Sequence, residues 1–203
     1  TPLYSSAASD VYKRQIRSFT QETFACGTSG TFSVINNSVT TSSSCSGSVS
    51  IPEGVTIIAD NAFYGKSAAL TALTLPTTLV TISDNAFRVA GSIPTLNIPA
   101  NVVTIGERAF SLNTAPLLTT LTFSAGSKLQ WIKSFAFEYS AFTSVTIPSS
   151  VTTIGQYAFV SNTSLSQINF LGSIPSGSPW SAPVGTTVSK VVCDGSTRTC
   201  EVG

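Results

Sequence analysis

One dipeptide, repeated in register, constrains this chain more than any other feature. Ala-Phe recurs at Ala62-Phe63, Ala86-Phe87, Ala109-Phe110, Ala136-Phe137 and Ala158-Phe159, with the phenylalanines 24, 23, 27 and 22 residues apart. Five residues before each Phe stands an isoleucine (Ile58, Ile82, Ile105, Ile132, Ile154), and three before that a valine or leucine (Val55, Leu79, Val102, Leu129, Val151). Upstream again, a short alternating segment closes on Ile51, Leu75, Ile98, Phe123 or Ile147, with Pro next in four of the five units. Leu165, Ile168 and Phe170 form a last half-unit. Self-similarity at such a period means a repeat architecture, because a single unit of this size cannot bury its apolar face alone.

Each unit reads L-x-x-L-x-I-P-x-x-V-x-x-I-x-x-x-A-F and then a loop. The alternating L-x-I end predicts a strand with its apolar side inward. Pro52, Pro76, Pro99 and Pro148 stop that strand, since proline has no N–H for a ladder. V-x-x-I predicts a second short extended piece, and Ala-Phe a tight turn or short helix. The small Ala lets backbones approach while Phe fills the centre.

The combination of I-P, V-x-x-I and A-F at fixed offsets resembles the BspA-like leucine-rich repeats over about residues 49–170. Two departures stand out. The family's cysteine slot, three after Phe, holds Lys66, Ala90, Asn113, Ser140 and Asn162. Unit four replaces I-P with Phe123-Ser124 and takes two extra residues before Leu129. The resemblance implies a right-handed leucine-rich-repeat superhelix of short parallel β-strands with tight turns or short helices. About five units between β-hairpin caps are expected, in a protein of the kind often found on bacterial or protist surfaces and often adhesive.

The segments outside the repeat divide the rest of the chain. Ser5–Gln15 reads SSAASDVYKRQ, which matches a translated sequencing adaptor residue for residue, so residues 1–15 are expected to be a scar. The chain contains no Met, and its native start, with any signal peptide, is expected to lie upstream. Residues 16–48 are expected to form an N-terminal cap, with strands either side of Asn36-Asn37, a dipeptide suited to a hairpin turn. Residues 49–171 are the repeats. Residues 172–203 comprise a Pro/Ser/Gly-rich connector and a second hairpin around Asp194-Gly195. Cysteines stand at 26, 45, 193 and 200. Of three possible connectivities the local one, Cys26–Cys45 with Cys193–Cys200, is favoured by sequence proximity. Such terminal disulfides suit an oxidising, extracellular or cell-surface setting.

Composition narrows the function. Charged residues are 9% of the chain, against roughly 25% in an ordinary domain, and Ser and Thr replace them. The net charge of +1 gives no electrostatic footprint for nucleic acid. No apolar run is long enough for a transmembrane helix. With no His and no C-x-x-C, the usual catalytic triads and zinc sites lack their residues. The acids fall about one per unit (Glu53, Asp60, Asp84, Glu107, Glu138), and Asp60 and Asp84 share a turn slot where Asp serves the backbone. No enzyme and no cofactor is expected.

Two outward columns are expected on the first strand: Ser50, Thr74, Asn97, Thr122, Thr146 and Asn169 in one, and Ala72, Thr95, Thr120, Ser144 and Gln167 in the other. They make a neutral hydroxyl and amide ladder without aromatics, and Asn97 and Asn169 interrupt the threonine column that surface binding to ice would want. Charge and large aromatics gather instead in unit four and its neighbours, at Glu107, Arg108, Lys128, Trp131, Lys133, Glu138, Tyr139 and Tyr157. Trp131 occupies a slot filled elsewhere by Ile57, Thr81, Thr104 and Thr153, so it is expected at the surface. Trp131, Lys133, Glu138 and Tyr139 are the candidate interaction residues, Trp and Tyr being common interface anchors. The expected function is an extracellular or cell-surface module that binds a protein or surface glycan, in protein–protein interaction or adhesion. The alternative is a non-binding spacer within a larger surface protein.

Overall fold

The computed structural model describes residues 20–65, 69–91, 93–112, 118–173, 186–193 and 200–202. The expected scar at residues 1–15 and most of the connector lie outside them. The chain opens with β1 (Gln21–Ala25), β2 (Thr31–Ile35), β3 (Ser38–Ser42) and β4 (Ser46–Ser50). It continues through β5 (Ile57–Ile58), β6 (Ala69–Thr74), β7 (Thr81–Ile82), β8 (Thr95–Ile98), β9 (Thr104–Ile105) and β10 (Thr120–Phe123). Then come β11 (Trp131–Ile132), β12 (Ser144–Ile147), β13 (Thr153–Ile154), β14 (Gln167–Phe170), β15 (Thr187–Cys193) and β16 (Cys200–Val202). No helix occurs among the described residues: the Ala-Phe segment is a turn in every unit.

The result is a parallel β-solenoid whose successive coils stack strand on strand. The V-x-x-I strands form one continuous sheet in the order β1-β2-β3-β5-β7-β9-β11-β13. It is parallel from β3 onward and in exact unit register, with Ile58, Ile82, Ile105, Ile132 and Ile154 side by side. These isoleucines are at most 1% exposed. The first-strand column is broken into β4-β6, β8-β10 and β12-β14-β15-β16.

The centre is a column of phenylalanines. Phe63, Phe87, Phe110, Phe137 and Phe159 stack with centroids 4.9, 5.3, 5.7 and 5.8 Å apart and rings within 10° of parallel. The spacing slightly exceeds the roughly 4.8 Å between neighbouring strands, so the repeat itself delivers each ring onto the next. Phe32 and Phe24 extend the column into the N-terminal strands. The alanine before each Phe is almost fully buried, which leaves no room for a larger side chain.

The turns carry a third ladder. Asn61, Phe63 and Gly65 donate their N–H groups to the carbonyls of Asp84, Ala86 and Arg88 in the next unit. Unit two repeats this with Asn85, Phe87 and Val89 onto Glu107, Ala109 and Ser111, and unit four with Phe135, Phe137 and Tyr139. To aim these groups, the residue two before each Phe adopts left-handed φ: Asn61, Asn85, Arg108, Phe135 and Tyr157 lie between 52° and 59°. Asparagine tolerates that region; Arg, Phe and Tyr enter it only at a cost. At the N-terminal end the ladder is capped by the buried Ser42 hydroxyl, which donates to the Ala62 carbonyl at 2.8 Å.

The N-terminal end is a hairpin, as expected, and strand pairing continues from the solenoid at both ends, while the turn expected around Asp194-Gly195 lies outside the described residues. Asn36 and Asn37 have φ of 50° and 62°, the paired positive values of a tight β2–β3 turn. Because β3 then pairs in parallel with β5, this hairpin is the first course of the repeat sheet, and β1 adds an antiparallel edge to it. Cys26 and Cys45 are disulfide-bonded. At the other end β15 pairs in parallel with β14 and antiparallel with β16, setting Cys193 opposite Cys200 in the backbone register. The side chains of those two cysteines lie outside the described residues.

Candidate interaction site

The first-strand face is as neutral as its sequence implies. Thr74, Asn97, Thr122 and Thr146 are exposed, as are Ala72, Thr95, Thr120 and Ser144, while Asn169 and Gln167 are half-buried. Much of its polarity is spent internally: Thr122 Oγ1 donates to Asn97 Oδ1, and Asn97 Nδ2 to Ser124 Oγ, both at 3.0 Å. No ladder joins β10 to β12, and Ser124, Ala125, Gly126 and Ser127 of the altered turn line the gap. A cavity of about 580 Å³ opens there, lined by Thr120, Thr122, Gly126, Ser144, Thr146 and Leu171 among others, without a charge or an aromatic apart from Phe123.

Glu53, Asp60 and Asp84 act on backbone, across units rather than within them. Asp60 Oδ1 accepts the Asp84 N–H at 3.0 Å, and Asp84 Oδ1 accepts the Glu107 N–H at 2.8 Å. Glu53 accepts from the N–H and hydroxyl of Thr77 and from the N–H of Thr78. Each carboxylate therefore ties its own coil to the following one. Among the described residues, no three of His, Cys, Asp and Glu gather as metal ligands would.

Unit four holds the irregular side chains. Trp131 lies on β11, 43% exposed, with Thr104 and Thr153 beside it in register on β9 and β13. Lys133 follows on the same side, and its Nζ bonds Asp84 Oδ1 at 3.2 Å across two coils. Trp131, Lys133, Glu107, Thr104, Thr153 and Gly155 line an open cleft of about 570 Å³. The slot after each buried Ile is Ala59, Ser83, Gly106, Lys133 and Gly155 in turn. A Cβ on Gly155 would stand 2.4 Å from the Ser134 nitrogen, so close backbone approach keeps this part of the cleft free of side chains.

The four candidate residues divide. Trp131 and Lys133 share the cleft. Glu138 and Tyr139 belong to the turn and do not line it. Glu138 Oε2 accepts the buried Ser111 hydroxyl at 2.9 Å, a tie to unit three, whereas Tyr139 is 42% exposed. Sequence reasoning missed Phe135. It lies under the Arg108 guanidinium, 4.3 Å from its ring centroid, and against the Tyr157 ring at 5.3 Å. Arg108 also pairs with Glu107, so this cation–aromatic row abuts the cleft. The signal was an aromatic in a slot that holds Asn in units one and two.

Comparison with known proteins agrees with this architecture. The chain is similar in fold to a leucine rich cell surface protein from Faecalibacterium prausnitzii A2-165, at a TM-score of 0.50 and 23% identity. The likeness covers 80% of this chain and 48% of that one, so the chain spans about half the length of that protein. No curated protein matches the sequence. Six copies of the BspA type leucine rich repeat region match residues 33–166, which takes the repeat back into the β2–β3 hairpin. With that match spanning most of its length, the chain belongs to the BspA-type leucine-rich-repeat family.

Proposed function

We propose that this chain is a recognition module of the cell surface or extracellular space, working by adhesion or protein–protein contact and not by catalysis. The observation that carries this reading is that unit four places Trp131, Lys133 and Tyr139, side chains that break the repeat, on the surface of an otherwise regular scaffold, beside the exposed Tyr157 of the next unit. Trp131 and Tyr139 are exposed there, while Leu129, Ile132, Ala136 and Phe137 of the same unit are fully buried. The unit thus departs from the repeat at its surface and keeps it in its core. The Cys26–Cys45 disulfide and the resemblance to a leucine rich cell surface protein support the location.

The test is an array of extracellular matrix proteins and glycans probed with the purified chain, repeated with the Trp131→Ala, Tyr139→Ala double variant. Truncating central anchors typically costs about 2 kcal/mol or more, so at least about a tenfold loss is expected, with circular dichroism unchanged. Loss caused instead by Thr74→Ala and Thr122→Ala would move the site to the first-strand face. No retained partner on either array would leave a structural spacer.

A further inference from the structure

We propose that the cleft beside Trp131 is a saccharide subsite that takes a neutral pyranose unit of a surface glycan. The inference rests on the recognition reading above and narrows it to a ligand class. A pyranose presents a C–H-rich face that packs on an aromatic ring and a rim of hydroxyls that require hydrogen-bond partners. The cleft supplies both. Trp131 is its single aromatic residue, and Thr104, Thr153 and Ser134 place hydroxyl groups around it. The first-strand cavity has hydroxyls, but its one ring, Phe123, is half-buried against the core, and the Arg108–Phe135–Tyr157 row has rings but only one hydroxyl.

Charge and size decide the class further. Lys133 is balanced by Asp84 and Glu107 by Arg108, so the four charges around the cleft cancel and attract neither phosphate nor uronate. They remain able to bond. An ammonium has three donors, and Asp84 takes one. Glu107 bonds Arg108 through Oε1, which leaves Oε2 to accept a sugar hydroxyl. The volume of about 570 Å³ falls in the range of roughly 300–1,000 Å³ typical of small-molecule sites. Gly155 lines it without a side chain, and the close approach of the Ser134 backbone excludes the Ala or Ser found in that slot in units one and two.

The experiment uses the full chain carrying Trp180→Phe, which leaves Trp131 as the sole tryptophan of the two. Short oligosaccharides of glucose, galactose, mannose and N-acetylglucosamine are titrated while its fluorescence is read, with oligogalacturonate as the acidic control. At least one neutral sugar is expected to give a saturable change at millimolar concentration or below. By calorimetry on the native chain, Trp131→Ala should weaken that sugar at least about tenfold and Thr153→Val by about two- to fivefold, while Trp131→Phe retains part of the affinity. No saturable response to any neutral sugar up to ~10 mM, stronger salt-sensitive binding of the acidic control, or undiminished binding by Trp131→Ala would each overturn the proposal. If no sugar binds but a protein captured on the array is lost with Trp131→Ala, the recognition reading survives and the saccharide subsite falls.

Discussion

Replacing Phe87 by Ala tests whether the solenoid is held by one continuous aromatic column. Phe87 is 1% exposed and lies between Phe63 at 4.9 Å and Phe110 at 5.3 Å, nearly parallel to both. Truncating a buried Phe costs about 3–5 kcal/mol through lost burial and a residual cavity. Here the upper end is expected, because two stacked ring contacts go as well, each contributing about 0.5–1.5 kcal/mol. The backbone ladder cannot close the hole: the Phe87 N–H is bonded to the Ala109 carbonyl and its own carbonyl accepts from Ala90. Phe87→Leu refills most of the volume without the ring faces and should cost about 1–2 kcal/mol. Urea unfolding by circular dichroism measures both, and the m-value of Phe87→Ala should fall if the coils on its two sides uncouple. A cost below about 1 kcal/mol for Phe87→Ala at unchanged m would refute the idea that this column carries the stacking.

Four further outcomes are expected. Reduction of Cys26–Cys45, which closes a separation of 19 residues, should lower stability by about 3 kcal/mol, and hydrogen exchange should rise in β1–β3 before the central coils. Glu53→Ala removes the acceptor for Thr77 and Thr78 and should cost about 1 kcal/mol by thermal melts, with Glu53→Gln costing less. Val89 sits at φ 57° in a slot where unit one has Gly65 at 63°. Val89→Asn should therefore raise stability by about 0.5–1 kcal/mol, and a lowered midpoint would mean its packing outweighs the strain. Deleting residues 1–15 should leave the thermal midpoint unchanged; a drop of several degrees would assign them to the N-terminal cap.

The core was legible because its chemistry repeats. Every Ile of the V-x-x-I strand and every Phe of the Ala-Phe pair is buried, and the Asn36-Asn37 hairpin turn follows from the residues that tolerate positive φ. Trp131 was legible as a surface residue from its column-mates, since Thr104 and Thr153 occupy the same register position. What surrounds Trp131 was not. Its cleft depends on Gly155 approaching the Ser134 backbone and on Lys133 reaching Asp84 two coils away, contacts between positions far apart in sequence. Phe135 was hidden for a different reason. Local preference argues against a left-handed Phe, and only the inter-coil bond from its N–H to the Gln156 carbonyl forces that conformation. The breaks in the first-strand column, between β6 and β8 and between β10 and β12, likewise appear in no local pattern, since the strand motif is the same on both sides of each.

A solenoid has a difficulty that a globular domain does not have. Its regular columns look alike from coil to coil, so a partner gripping Thr74 could as well grip Thr122 or Thr146, one or two coils along. Such a face can hold a ligand without fixing where along the solenoid it sits. Registration requires side chains that occur once, and the core tolerates them only where they face outward. Unit four meets both conditions at Trp131, where both neighbours have Thr, and at Lys133, where both have Gly, and Phe135 adds an aromatic that only Tyr157 of unit five matches in its slot. All three leave Ile132 and Phe137 fully buried and in line with the coils on either side. The Ile and Phe columns therefore run through unit four whatever stands at Trp131 and Lys133, which leaves those outward slots open to variation with the ligand.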